Sequence, residues 1–170
     1  MKNKILMVIS LGIFVASCNS KVETKVTKDV VVVNKDSIKT IIQNMENEYA
    51  DALNAGNADA VMGYYANDAI SYPPNMPPLV GNAAIREDVA KQIAESPKGV
   101  KVSFTTKEIH PSADGEMVLE IGSYNATDSI NAKNYTGNYM SVFHKMDGKY
   151  VCVRDMAASD MPREKKEEKK

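Results

Sequence analysis

The sequence contains no tryptophan, two cysteines and two histidines among its 170 residues, and each scarcity argues against a kind of site. Two cysteines do not make a disulfide framework, and so few cysteines and histidines argue against a zinc site of the four-ligand Cys/His kind. Any metal chemistry would therefore rest on carboxylates. We predict that the protein uses neither a metal nor another cofactor.

The composition is that of one ordinary globular domain. Hydrophobic residues make up 44% of the chain and charged residues 25%, and the formal net charge is −1. These values argue against a disordered chain, a collagen-like chain or a multi-domain enzyme. The central part, residues 37–162, holds 10 basic and 16 acidic side chains. Because nucleic-acid binding depends on a basic surface, we expect no nucleic-acid partner.

The N-terminal segment has the pattern of a secretion signal. Lys2 and Lys4 precede an apolar stretch, residues 5–15, that is shorter than the roughly 20 residues of a membrane-spanning helix. Residues 15–18, Val-Ala-Ser-Cys, resemble the lipobox of bacterial lipoproteins. The resemblance implies cleavage before Cys18, a lipid on its thiol, and anchoring to a membrane of the bacterial cell envelope, at the outer membrane or the periplasmic face. A plain signal peptide followed by an unrelated cysteine is the alternative.

The chain therefore divides into four predicted parts. With Cys18 acylated, Cys152 is the sole free thiol, and its strand-like apolar neighbours predict a small buried side chain rather than a nucleophile. The parts are a lipoprotein signal peptide (1–17), the lipidated cysteine with a flexible tether (18–36), a folded domain (37–162) and a charged tail (163–170).

The first half of the domain has the spacing of helices. The first helix is amphipathic, with Asp36 or Ser37 as its predicted N-cap and Gly56 at its end. A shorter second helix is predicted from an Asn57 cap through Tyr65. The apolar face of the first helix consists of Ile38, Ile41, Ile42, Met45, Tyr49 and Leu53.

The second half has the spacing of strands. A proline-rich surface loop at 73–78 precedes a third helix, which opens at Gly81-Asn82 and stops at Ser96-Pro97. Beyond it the hydrophobic period falls to two, and two Asp-Gly turns separate antiparallel strands. We predict an α+β fold in which a curved sheet wraps around the first and third helices and leaves one end of the core open. The predicted strands are a short one at 69–72, then 100–109, 116–126, 134–145 and 149–157.

Several segments of the domain are similar to those of a known superfamily. In their order and spacing they resemble the nuclear transport factor 2-like superfamily, in its SnoaL-like and ketosteroid isomerase-like branch. The resemblance implies a cone-shaped, cystatin-like α+β barrel, a mouth that holds a small and largely apolar ligand, and a homodimer formed through the sheet. The segments are residues 49–57, 65–69, 81–86, 122–124 and 147–156.

The resemblance carries the catalytic residues over only in part. In ketosteroid isomerases a tyrosine of the first helix donates a hydrogen bond to the developing enolate oxygen, and Tyr49 falls at that position. The general-base position falls on Pro73, and the position of the protonated acid falls near Ser141. Because proline cannot accept a proton, steroid isomerase activity is not expected.

Three functional hypotheses remain open. The leading one is a binding or assembly domain with no complete catalytic set. The second is an enzyme of lyase, isomerase or cyclase type that uses Tyr49 as hydrogen-bond donor and Asp155 or Glu120 as base. The third is a sealed core that interacts through its exposed sheet face. The predicted ligand-lining residues are Tyr49, Tyr65, Tyr72, Met76 and Tyr124, with rings of a plain core as the alternative for the tyrosines.

Overall fold

A computed structural model describes residues 33–161 of the chain. The signal peptide, Cys18 and the charged tail lie outside the described residues. Within residues 33–161, no helix is long and apolar enough to cross a membrane.

The first helix begins two residues earlier than the sequence indicates. Helix α1 (Lys35–Asn54) is capped by Asn34, whose side chain accepts a hydrogen bond from the Ser37 amide at 2.9 Å. The predicted cap, Asp36 or Ser37, is wrong because both residues lie inside the first turn. The helix ends before Gly56, which adopts a φ of +71°.

The two other helices are short. Helix α2 (Ala58–Val61) is capped by Asn57, as predicted, but it ends well before Tyr65. Tyr65 instead begins a strand, because the Tyr64 carbonyl accepts a hydrogen bond from the amide of Cys152 at 2.8 Å and so joins this segment to the sheet. Helix α3 (Asn82–Glu95) ends at Ser96, immediately before Pro97.

The strands form one six-stranded sheet in the order β2-β1-β6-β5-β4-β3. Neighbouring strands are antiparallel, except that β1 runs parallel to β6. The predicted meander is therefore extended at one edge by β2 and by a β1 that is longer than residues 69–72. The strands are β1 (Tyr65–Tyr72), β2 (Leu79–Val80), β3 (Val100–Pro111), β4 (Met117–Asp128), β5 (Lys133–Met146) and β6 (Lys149–Ser159).

Helix α1 packs against the sheet and covers the free edge of β3. The Asn54 side chain accepts from the Val102 amide and donates to the Val102 carbonyl, each at 2.8 Å. The Gln43 side chain likewise accepts from the Thr106 amide at 2.8 Å and donates to the Phe104 carbonyl at 3.1 Å. These side-chain amides take the place of a further strand along Val102–Thr106 of the edge.

The sheet carries a polar row across four neighbouring strands. Glu120 of β4 pairs with Ser141 of β5, which pairs with Asp155 of β6, which pairs with Ser71 of β1. Directly paired residues project from the same face of a sheet. These four side chains therefore share the face that α1 covers, beside an apolar core that includes Ile42, Ile85, Ile109 and Phe143. The predicted α+β fold with a curved sheet around N-terminal helices is confirmed.

Candidate functional site

A cavity of about 750 Å³ opens between α1 and the sheet. Its walls are largely aromatic, and its inner surface carries the carboxyls of Glu46 and Asp155. The prolines at 73 and 74 lie at its border. The sealed core considered from the sequence is therefore wrong. The aromatic lining residues are Tyr49, Tyr64, Tyr65, Tyr72, Phe104, Tyr124 and Tyr139.

Two tyrosines connect α1 to Asp155 inside the cavity. The Tyr65 hydroxyl donates to Oδ2 of Asp155 at 2.7 Å, and the Tyr49 hydroxyl lies 3.4 Å from the Tyr65 hydroxyl. The other oxygen of Asp155, Oδ1, is buried and has no hydrogen-bond partner among the described residues. A buried acceptor without a donor is costly, so this oxygen is suited to receive a proton or a donor from a ligand.

Burial changes the acid–base character of these groups. It raises the pKa of Asp155 above the ordinary value of a carboxyl, against the opposing effect of the Ser71 and Tyr65 hydroxyls. Burial also raises the pKa of Tyr49 and of Tyr65, so both hydroxyls stay neutral and act as donors at physiological pH. The site thus combines a carboxylate of increased basicity with neutral hydroxyl groups.

A second buried cluster lies beside the first and was not anticipated from the sequence. Glu46 of α1 is 2% exposed, and its Oε1 accepts from the Tyr64 hydroxyl at 2.5 Å. Glu120 is fully buried, and its Oε1 accepts from the hydroxyls of Thr106 at 2.6 Å and Tyr139 at 3.0 Å. Burial and the neighbouring carboxyls of Glu120 and Asp155 raise the pKa of Glu46 to about 9.

A sequence signal for Glu46 exists in the spacing of the first helix. Ile38, Ile42, Glu46 and Ala50 follow one another at intervals of four, and all four side chains are buried. A charged residue in the middle of a buried helical stripe is unusual, and it indicates a paired or functional group. The helix face, rather than the residue type, is what points to Glu46.

The structure brings most of the predicted site residues together. Tyr49, Tyr65, Tyr72, Tyr124 and Asp155 line the cavity. Glu120 lies behind the lining, within the second cluster. Met76 is 43% exposed and is not part of the cavity wall.

Several other titratable groups do not line the cavity. Arg86 pairs with Asp59 at 2.6 Å on the surface, and His110 pairs with Glu108 at 3.3 Å, also on the surface. Cys152 is a free, fully buried thiol, as its apolar neighbours predict. Within residues 33–161, no three His, Cys, Asp or Glu side chains are grouped so that they could hold a metal ion.

Two glycines shape the wall of the cavity. The Tyr139 ring lies across Gly122 of the neighbouring strand so closely that a Cβ added there would approach the ring to about 2.2 Å. The Tyr124 ring lies in the same way across Gly137. Because glycine has no side chain, each ring can lie flat on the sheet, and the Tyr139 hydroxyl reaches Glu120.

Comparison with known proteins agrees with this architecture. Residues 47–153 match the family described as the SnoaL-like domain. No functionally curated protein matches the chain. The structural similarities that follow are all below 25% identity and concern the fold alone.

Solved bacterial structures share the fold. A domain of unknown function with a cystatin-like fold from Nostoc punctiforme PCC 73102 is 11% identical, with a TM-score of 0.66 over 76% of this chain and 82% of that one. A ketosteroid isomerase-like protein from Erwinia carotovora atroseptica SCRI1043 is 16% identical, with a TM-score of 0.57 over 72% and 96%. An NTF-2 like protein of unknown function from Shewanella oneidensis MR-1 is 20% identical, with a TM-score of 0.57 over 71% and 98%. The chain belongs to the SnoaL-like domain family and has the nuclear transport factor 2-like fold of the ketosteroid isomerase-like proteins.

Proposed function

We propose that the domain binds a small, largely apolar molecule that carries a carbonyl group and catalyses proton transfer on it, as lyases and isomerases do. The observation that carries the proposal is Oδ1 of Asp155, a buried acceptor at the cavity without a donor among the described residues. The aromatic wall supplies the apolar contact area, and a cavity of about 750 Å³ has the size of a small-molecule site.

The chemistry follows from the protonation states of the three groups. Asp155, as a carboxylate, removes a proton from the carbon next to the carbonyl, and the C–H electron pair forms the enol double bond. Tyr49 donates a hydrogen bond to the oxygen on which negative charge develops. Tyr65 holds Oδ2 of Asp155 at 2.7 Å and so directs Oδ1 toward the ligand. The proton then returns from Asp155 to the same or another carbon.

We propose further that this site is displayed at the bacterial cell envelope, on a lipid anchor at Cys18. The support is the signal-like segment and the Val-Ala-Ser-Cys sequence at residues 15–18. An envelope location suits an apolar ligand, because such molecules partition into and cross membranes.

Deuterium exchange on a ketone tests the proposed reaction. The probe is 2-tetralone in D₂O, and the measurement is the rate at which its protons next to the carbonyl are replaced, followed by NMR. We expect the protein to accelerate the exchange, Asp155→Asn to lower the rate by about 100-fold or more, and Tyr49→Phe to lower it by about tenfold. Asp68→Asn, which changes an exposed carboxyl on β1, is the matched control and should leave the rate unchanged.

Binding of 2-naphthol, a planar molecule with an enol-like hydroxyl, separates the outcomes. If the protein binds 2-naphthol in a Tyr49- and Asp155-dependent manner but does not accelerate exchange, the domain is a binding protein without proton-transfer activity. The family resemblance puts the general-base position of ketosteroid isomerases at Pro73 and the position of the protonated acid near Ser141, and the lack of both groups would account for that result. If neither effect is observed, the proposed ligand class is wrong.

A further inference from the structure

Two buried carboxyls lie side by side without a cation. Glu46 and Glu120 are close enough for each to influence the pKa of the other, and both are almost fully removed from solvent. The Tyr64 hydroxyl that donates to Glu46 also lies 3.4 Å from the hydroxyl of Ser141, which is the strand partner of Glu120. Neither takes part in any ion pair within residues 33–161. Two negative charges in this setting repel each other with no compensation, so the ligand-free pair retains one proton.

The hydrogen bonds leave a place for one proton between the two carboxyls. Oε1 of Glu46 accepts from Tyr64, and Oε1 of Glu120 accepts from Thr106 and Tyr139. Oε2 of Glu120 is buried and receives no hydrogen bond from any N–H or hydroxyl of the described residues. A proton on Glu46 that points to Oε2 of Glu120 gives this oxygen a donor.

We propose that Glu46 and Glu120 share one proton, held on Glu46, and that Glu46 is the acid of the site whose base is Asp155. The catalytic part of this proposal rests on the proposed function. Glu46, and not Glu120, lines the cavity. It precedes Tyr49 by one turn of α1, so the two side chains lie on the same helix face.

The acid and the base belong to different elements, with Glu46 on α1 and Asp155 on β6. Glu120, which carries the other half of the pair, is two strands from Asp155 in the polar row, with Ser141 between them. Two strand spacings separate Asp155 from Glu120 by about 10 Å along the sheet. When two carboxyls of one cavity differ in protonation state, the protonated one can act as the acid and the ionised one as the base.

The step conserves atoms and charge. The O–H bond of Glu46 breaks and its proton binds the carbonyl oxygen, while Asp155 takes the proton from the neighbouring carbon. The product is an enol, and the pair now carries two negative charges. Their repulsion favours return of a proton to Glu46, so the enol reverts to the ketone and the site is restored. Tyr49 donates to the same oxygen throughout.

The titratable groups around Glu46 come from four elements and the turn before β1. Among the described residues, no lysine, arginine or histidine influences the pKa of Glu46. The neighbouring groups that interact with Glu46 are Tyr49 of α1, Tyr64 before β1, Glu120 of β4, Tyr139 of β5, and Cys152 and Asp155 of β6. A pKa of about 9 for Glu46 keeps its proton in place at physiological pH.

Infrared spectroscopy of the ligand-free protein tests the shared proton independently of any activity. A protonated carboxylic acid has a carbonyl stretch that a carboxylate lacks. At neutral pH we expect this band in the wild-type protein and in Asp155→Asn. We expect it to be absent in Glu46→Gln, and also in Glu120→Gln, where the new amide donates to Glu46 and favours its ionised form. A wild-type protein without the band, or a band that persists in Glu46→Gln, would overturn the proposal.

Two further measurements test the role of Glu46 toward a ligand. Bound 2-naphthol should shift the band, because Glu46 lines the cavity, and an unshifted band on saturation contradicts contact. In the 2-tetralone assay, exchange should decline above pH about 9 as Glu46 loses its proton. Glu46→Gln should lower the rate by about tenfold or more and abolish that decline. If Glu46→Gln lacks the band but exchanges at the wild-type rate and with the wild-type pH profile, the Glu46–Glu120 pair has only a structural role.

The outcomes of the two proposals are distinguishable. If the wild-type protein gives no exchange, the proposed proton transfer on this ketone is wrong. The infrared band and its shift with 2-naphthol still decide whether Glu46 is a neutral acid that contacts the ligand. Circular dichroism confirms that each variant is folded. Where Glu46→Gln does not fold, Glu120→Gln provides the same readouts from the other half of the pair.

Discussion

Glu46 makes the domain less stable as pH rises. An ordinary carboxylate in an ion pair has the opposite effect, because it stabilises a protein as pH rises. The pKa of Glu46 is about 9 in the folded protein, against an ordinary value of 4.5. Between these values the folded state binds more protons than the unfolded state, so the free energy of unfolding falls as pH rises. Glu120 and Asp155, whose pKa values are also raised by burial, add to the same slope.

Urea unfolding at several pH values measures this effect. We expect the wild-type domain to lose a few kcal/mol, to order of magnitude, between about pH 5 and about pH 9. Glu46→Gln should reduce this loss, because a neutral amide needs no proton to remain buried. Glu48→Gln, an exposed position on the same helix, is the control and should keep the wild-type slope. Equal slopes in Glu46→Gln and the wild type would show that Glu46 is ionised in the folded protein.

A site residue could be predicted from the sequence when the residues next to it in the chain gave a signal. It could not be predicted when the burial of its side chain depends on strands that are distant in the chain. Tyr49 is indicated by the family resemblance, and Asp155 is one of the two carboxyls, with Glu120, that the sequence offers as its base. Glu46 was missed because a glutamate on a helix is ordinarily solvent-exposed, and its burial depends on Glu120, which is 74 residues away in the chain. Tyr64 was missed for the same reason.

At the scale of elements, the close contact between β4 and β5 determines the cavity wall. Gly122→Ala would place a methyl group about 2.2 Å from the Tyr139 ring, so the ring must move and its hydrogen bond to Glu120 is lost. We expect a loss of about 1–3 kcal/mol in the free energy of unfolding, measured by urea denaturation. Ser123→Ala, at the adjacent position whose side chain is on the opposite face, should cost much less. A Gly122→Ala domain as stable as the wild type would contradict the observed packing.

Elements defined by local spacing were easier to predict than those defined by a partner. The apolar face of α1 and the Asp-Gly turns are encoded within a few residues, and both were predicted. The length of β1 and the end of α2 were not, because both depend on pairing with β6, which lies about 80 residues further along the chain. A parallel pair has no turn between its strands, so no local signal marks it.

At the scale of the whole molecule, the proposed lipid anchor predicts where the protein is found. In its own host, the wild-type protein should fractionate with membranes and incorporate labelled fatty acid, because two acyl chains anchor a protein stably. Cys18→Ser should abolish the label and release the protein from the membrane fraction. Cys152→Ser, which changes the other cysteine, should leave both unchanged. Label retained in Cys18→Ser would exclude a lipid at this position.

The parallel pairing of β1 with β6 also has a kinetic consequence. Asp155 is carried by the last strand to be synthesised, while Glu46 and Tyr49 are carried by the first helix. No partial chain that lacks the C-terminal strand can bring these groups together, and contacts this far apart in sequence slow the search for the native topology. Folding and assembly of the proposed site are therefore one late event, and a chain still emerging from the ribosome lacks the complete set of site residues.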